Sequence, residues 1–146
     1  MPKRDAYHAN LRHALEKDGW HVTHDPLTIR HKGLRVYIDL AAERFEPASQ
    51  KPIAVEIKVF GGPSRVDNFE RAIGQYDLYR TVLQDAQIER ELFLAISQNT
   101  WDELSKVEAF RFHLRVRQIH VIIFDPVNEE VTAWIRQPTL SIIENL

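Results

Sequence analysis

Residues 51–60, KPIAVEIKVF, constrain the fold more than any other stretch of the chain. The sequence Ile-Ala-Val, then Ile, then Val-Phe reads as an interior strand, almost wholly buried. Two charges interrupt it, Glu56 and Lys58. Successive strand side chains point to opposite faces, so these two share one face, about 7 Å apart along the chain. Either they neutralise each other or they belong to a site.

The flanking sequence supplies the rest of a sheet and its helices. RDAYHANLRHALEKDGW carries Tyr7, Leu11, Ala14 and Leu15 at helical spacing, with Gly19 placed as a C-cap. The period then changes. Asp25-Pro26 and Lys32-Gly33 punctuate short extended runs, and LRVYIDL reads as one strand that follows a turn after LTIRH. EPASQ is a loop before PIAVEIKVF, so two or three antiparallel strands are expected as a meander. Gly61, Gly62 and Pro63 stop the strand, and Ser64 is placed to cap a long helix whose apolar side is Phe69, Ile73, Tyr76 and Leu83. ELFLAIS is a strand, WDELSKVEAFRFHLRVRQ a helix, and IHVIIFD and EVTAWIRQ are strands joined by a turn at Asp125-Pro126 and Asn128. Strand, helix and strand in succession imply parallel pairing. The expectation is one α/β domain over residues 1–146 with a mixed central sheet.

Several function classes lose support at once. A chain of 146 residues without repeats or linkers buries about two-thirds of its unfolded surface as one domain. It has no cysteine, so a disulfide, a thiolate nucleophile and a Cys-ligated metal are out. No apolar run approaches the length of a membrane span, and MPKRDAYHAN has no secretory apolar core, which fits the cytoplasm. The net charge of -2 argues against unaided, non-specific DNA binding, so any nucleic-acid contact needs a local basic patch, a metal or a partner. Among the seven histidines, His8 with His13 and His21 with His24 show no zinc spacing, and these four read as scattered loop or surface residues. Neither a nucleophile elbow nor a phosphate-binding glycine loop is present.

The carboxylates are the exception. Asp39 ends an apolar strand at a position where a bulky hydrophobe belongs, and Glu56 lies mid-way along the next one. If those strands are neighbours, the two acids converge with Lys58 beside them. Two carboxylates, a backbone carbonyl and waters suit Mg²⁺, which takes oxygen ligands. Such an ion activates water and clamps a phosphate oxygen, and a lysine beside it orients the water or offsets developing charge. The other reading makes Glu56 and Lys58 an exposed ion pair of little energetic weight, with Asp39 bonding a turn amide.

Asp39 followed by Glu56-Ile57-Lys58 on the next strand, in an α-β-β-β-α-β order, resembles the PD-(D/E)xK, restriction-endonuclease-like fold. Gln75 and Tyr79 in GQYDLYR look like the Gln-x-x-x-Tyr element of RecB-type nucleases, and share one helix face. The chain as a whole resembles the XisH family of fdxN-element excision controlling factors. RDAYHANLRHALEKDGW, THDPLTI, VYIDLAAER, AVEIKVF, AIGQYDLYR, ELFLAIS and VIIFDP carry the likeness, between Arg4 and Pro126. The resemblance implies a DNA-rearrangement accessory factor that acts beside a recombinase and a small protein partner, XisI, in nitrogen-fixing cyanobacteria. It implies Asp39 and Glu56 as ligands of Mg²⁺ or Mn²⁺, the Ile57 carbonyl as a third ligand, and Lys58 as the catalytic lysine. Gln75 and Tyr79 would contact DNA phosphate, and Glu43 is a further ligand or a surface residue. Val59 departs from the small polar residue expected after the lysine, and faces away from the site.

Two functions follow from these residues. One is Mg²⁺-dependent phosphodiester hydrolysis by Asp39, Glu56 and Lys58. The other is a non-catalytic factor that binds a protein partner and biases recombination, with self-association open. For the second, EVTAWIRQPTLSIIENL offers Trp134 and Ile135 as partner surface or as part of the chain's own core. RFHLRVR, with Arg111, Arg115 and Arg117, is either a basic patch or a solvated helix face.

Overall fold

The structure is a computed structural model and describes residues 6–60 and 65–138. Helix α1 (His8–Lys17) buries Leu11, Ala14 and Leu15. It ends where expected. Gly19 takes φ +92, and the N–H groups of Gly19 and Trp20 donate to the carbonyls of Glu16 and Leu15, the paired bonds of a Schellman stop. Five strands follow: β1 (His21–His24), β2 (Leu27–His31), β3 (Leu34–Ile38), β4 (Leu40–Glu43) and β5 (Ile53–Ile57). Then come α2 (Arg65–Asp85), β6 (Glu91–Ser97), α3 (Gln98–Leu104), α4 (Glu108–Val116), β7 (His120–Asp125) and β8 (Glu130–Ile135).

The central sheet is mixed, in the order β1-β4-β5-β6-β7-β8. Pairings β1·β4, β4·β5 and β7·β8 are antiparallel, while β5·β6 and β6·β7 are parallel. The helical crossovers on the parallel pairs cover one face and α1 covers the other. Along β5, Ile53, Val55 and Ile57 face α1, with Leu11, Leu15, Phe93 and Phe124. Ala54 and the neighbouring side chains of β6 and β7 face α2 and α4, with Phe69, Tyr76, Leu83 and Leu114. All five β5 residues are buried, so the alternation that exposes a polar face in a one-sided sheet is absent.

Three expectations are corrected. The antiparallel pairs expected before Glu56 are present as β2·β3 and β4·β5 but do not form one meander: β1 pairs with β4, and β2–β3 stands apart as a separate two-stranded sheet over the α2 face. LRVYIDL is two strands, β3 and β4, broken at Asp39, where the chain passes from one sheet to the other. The helix expected over WDELSKVEAFRFHLRVRQ is two, with Ser105, Lys106 and Val107 between them and an extended Val107 (φ -93, ψ 107). The stop at Gly61, Gly62 and Pro63, the cap at Ser64 and the tail from residue 139 lie outside the described residues. Asp125 closes the last hairpin by accepting the Val127 and Asn128 amides.

Candidate functional site

The break at Asp39 makes the site. Register pairs Leu40 with Val55, and the ladder then stops. Beyond it, side chains take over from backbone. The Ile57 N–H donates to Asp39 Oδ2 at 2.8 Å, and the Asp39 N–H donates to Glu56 Oε1 at 3.2 Å. Each acid therefore satisfies an amide that the interrupted ladder leaves without a carbonyl. Lys58 Nζ lies 3.5 Å from Glu56 Oε2, on the same side of the strand.

These residues line one cleft of about 410 Å³ together with Gln75, Leu78 and Tyr79 of α2 and with Leu34, Arg35, Val36 and Tyr37 of β3. Asp39, Glu56, Ile57, Lys58, Gln75 and Tyr79 are thus brought together. Glu56 is buried, at 6% exposure, so the exposed-face reading of the Glu56–Lys58 pair does not hold. Asp39 does accept an amide, but from the strand residue Ile57 and not from a turn. Glu43 stands apart near Arg90, whose charge it supports, and does not line the cleft.

Burial dominates the electrostatics. Removal from water pushes the Glu56 carboxyl up from 4.5 to about 8, the neighbouring Asp39 charge adds to the rise, and Lys58 opposes it. Tyr79 is pushed up to about 12, first by burial and then by Glu56 and Asp39, so its hydroxyl stays a donor. Gln75 Oε1 is buried and has no hydrogen-bond partner among the described residues. Two acids that repel each other in a partly dry cleft form a hard oxygen donor set, and a divalent cation between them relieves the repulsion. Among the described residues no three His, Cys, Asp or Glu side chains converge, so a cation here has two carboxylates as its protein charges.

Elsewhere the candidates of the sequence resolve into structure. His8, His13 and His31 each meet one acid, Asp25, Glu129 and Asp85 respectively. Trp134 packs on Trp20 and edge-on to Phe93, within the chain's own core, and Ile135 is partly buried against it. In RFHLRVR, Arg117 pairs with Asp77 and Arg115 lies over the Phe112 ring. Sequence reasoning missed Arg35 and Tyr37 as cleft residues. A signal existed, since a two-residue turn at Lys32-Gly33 fixes the register of the hairpin and sets Arg35 and Tyr37 on one side of β3.

The family description XisH protein matches residues 1–132, most of the chain. The chain belongs to the XisH family. Two solved structures share its fold. An XisH family protein from Nostoc punctiforme is 35% identical, with a TM-score of 0.81 over 90% of this chain and 100% of that one. An fdxN element excision controlling factor protein from Anabaena variabilis is 33% identical, with a TM-score of 0.83 over 91% of this chain and 100% of that one. Comparison with curated proteins gave no match. Among the described residues of this XisH-family chain, no helix is long and apolar enough to cross a membrane.

Proposed function

We propose that the chain is a factor of DNA-element excision, as its Anabaena variabilis relative is described, and that its cleft is a metal-dependent phosphodiester site of the PD-(D/E)xK, restriction-endonuclease-like kind. One observation carries the reading. Asp39, Glu56 and Lys58, contributed by a sheet break and the adjacent strand, line one cleft with Gln75 and Tyr79 from a helix. Their sequence spacing alone does not require this. The antiparallel β4·β5 pair followed by the parallel β5·β6 pair also supports a restriction-endonuclease-like core.

Asp39, Glu56 and the Ile57 carbonyl would hold a Mg²⁺ or Mn²⁺ ion, which would supply positive charge against a phosphate oxygen. The chain's own residues do the rest. Lys58, with its side chain 26% exposed, offers an ammonium at the cleft to orient water and offset charge on the departing oxygen. Tyr79 donates from a hydroxyl that stays protonated. The Gln75 oxygen, with no partner among the described residues, would accept from a water, and its amide nitrogen would donate to a phosphodiester oxygen.

A second reading has its own observation. Both acids already serve backbone amides, so an excision factor that cuts nothing retains them for the fold, and acts through a small XisI-like protein. Calorimetric titration of Mn²⁺ and Mg²⁺ into the parent, Asp39→Asn and Glu56→Gln separates the two, followed by assays on linear and branched DNA. The metal-dependent reading expects binding lost in both variants and cleavage lost in Lys58→Met. No binding at millimolar metal, with and without DNA, favours the second reading.

A further inference from the structure

Hairpin β2–β3 turns on two residues with positive φ, Lys32 (48) and Gly33 (82). That turn fixes the register His31↔Leu34, Arg30↔Arg35 and Thr28↔Tyr37. Leu27, Ile29, Val36 and Ile38 point into the core against α2, so Thr28, Arg30, Arg35 and the half-buried Tyr37 form the opposite face. Two arginines directly across a strand pair, with Cβ atoms about 5 Å apart, repel each other. Among the described residues neither has a carboxylate to offset that repulsion. Arg35 Nη1 reaches only the Tyr37 hydroxyl, at 3.4 Å. Asp85 lies at the hairpin tip, but His31 and Lys32 hold it there at 2.6 and 2.7 Å.

This basic stretch is continuous with the acid cleft. Residues 30–35 wall a hollow of about 380 Å³, and Leu34 and Arg35 are shared between that hollow and the cleft of Asp39 and Glu56. A row of cations leads from the hairpin tip through Arg35 to the acids. Given the nucleic-acid reading of the cleft, on which this step rests, we infer that Arg30 and Arg35 form a paired phosphate grip that guides a DNA backbone into it. Charge complementarity selects this occupant. Guanidinium groups bind phosphate through two parallel hydrogen bonds, and a polyanion that bridges both arginines turns their mutual repulsion into binding energy. The α4 region lacks this arrangement, since Arg115 lies over the Phe112 ring and Arg117, at the end of the helix, is paired with Asp77.

The test measures binding of a fluorescein-labelled random-sequence duplex to the full chain in Ca²⁺ buffer, across a range of salt. Arg30→Gln/Arg35→Gln is compared with Arg111→Gln/Arg115→Gln, which removes equal charge from α4. The hairpin variant is expected to bind about tenfold more weakly or worse, with a log K against log salt slope shallower by about 2, while the α4 variant stays within about twofold. The melting temperature of the hairpin variant should hold or rise, because a like-charge pair is removed. Equal losses in both variants, an unchanged hairpin variant, no duplex binding by the parent, or polyglutamate binding at Arg30 and Arg35 in place of duplex each overturn the grip. Mn²⁺ titration of the hairpin variant keeps this apart from the cleft reading. Weak DNA binding with full Mn²⁺ binding locates the defect in the grip, whereas parent protein that binds duplex but no Mn²⁺ refutes the metal reading alone.

Discussion

The most demanding consequence of the site is that its central acid weakens the fold at neutral pH. Glu56 is 6% exposed, and burial beside Asp39 raises its carboxyl from 4.5 to about 8. A group with a folded pKa above its unfolded value gives its full stabilisation below the unfolded pKa, here 4.5. It loses that stabilisation as pH rises through about 8. At about 1.4 kcal/mol per pH unit, the loss is about 4 kcal/mol by pH 8 and under about 1 kcal/mol at pH 5. Glu56→Gln removes the ionisation while keeping an oxygen to accept the Asp39 N–H and an amide to donate towards its carboxylate. Urea denaturation at constant ionic strength should therefore show the variant gaining on the parent by about 3 kcal/mol between pH 5 and pH 8. Adding Mn²⁺ at pH 8 should close part of that gap by stabilising the parent alone. Curves that stay parallel within about 1 kcal/mol would refute the buried, proton-holding carboxyl on which the reasoning depends.

Two further outcomes test the surrounding frame. The Tyr76 hydroxyl donates to the Leu92 carbonyl at 2.8 Å and accepts the His120 N–H at 3.1 Å, linking α2 to the starts of β6 and β7. Tyr76→Phe leaves both backbone groups short of a partner and should cost about 1–3 kcal/mol by chemical denaturation, with an unchanged m-value. Gly19→Ala places a Cβ at φ +92 and 3.1 Å from the Arg44 guanidinium, which is itself held by Asp18 and lies over Trp20, so backbone strain and the tight contact together should lower stability by about 1–2 kcal/mol. A neutral result in thermal melts would mean the helix stop relaxes without its Schellman bonds.

Sequence pattern sufficed where burial alone decides the element. KPIAVEIKVF and ELFLAIS are apolar on both strand faces apart from a few charged or polar positions, because helices cover both sheet faces, so β5 and β6 lie where the runs predict. Pairing was less visible. That β1 joins β4 across an intervening hairpin depends on the inward packing of Leu27, Ile29, Val36 and Ile38, a long-range fact without a local signature. The break between α3 and α4 carries no glycine or proline. Its cause is angular: in one helix, at about 100° per residue, Leu104 and Phe110 would lie about 120° apart, yet both meet the same core. The convergence of Asp39 with Glu56 was legible because each acid stood in an apolar strand. Arg35 was not singled out, because an arginine on a short hairpin reads as ordinary surface until the register is known.

Asp39 also shows why the site and the fold use the same atoms. A chain that leaves one sheet and enters another must interrupt its ladder, and here the interruption deprives the Asp39 and Ile57 N–H groups of carbonyl partners. Each buried N–H left unpaired would cost about 1–3 kcal/mol. Acids at positions 39 and 56 meet that need, and on the metal-dependent reading proposed above the same carboxylate oxygens would hold a cation. Structural and functional demand are therefore separable only by chemistry, not by position. Asp39→Asn keeps an oxygen for the Ile57 N–H and removes the charge, whereas Asp39→Ala removes both. Stability lost with alanine and kept with asparagine belongs to the interrupted ladder, and Mn²⁺ affinity lost with either belongs to the site.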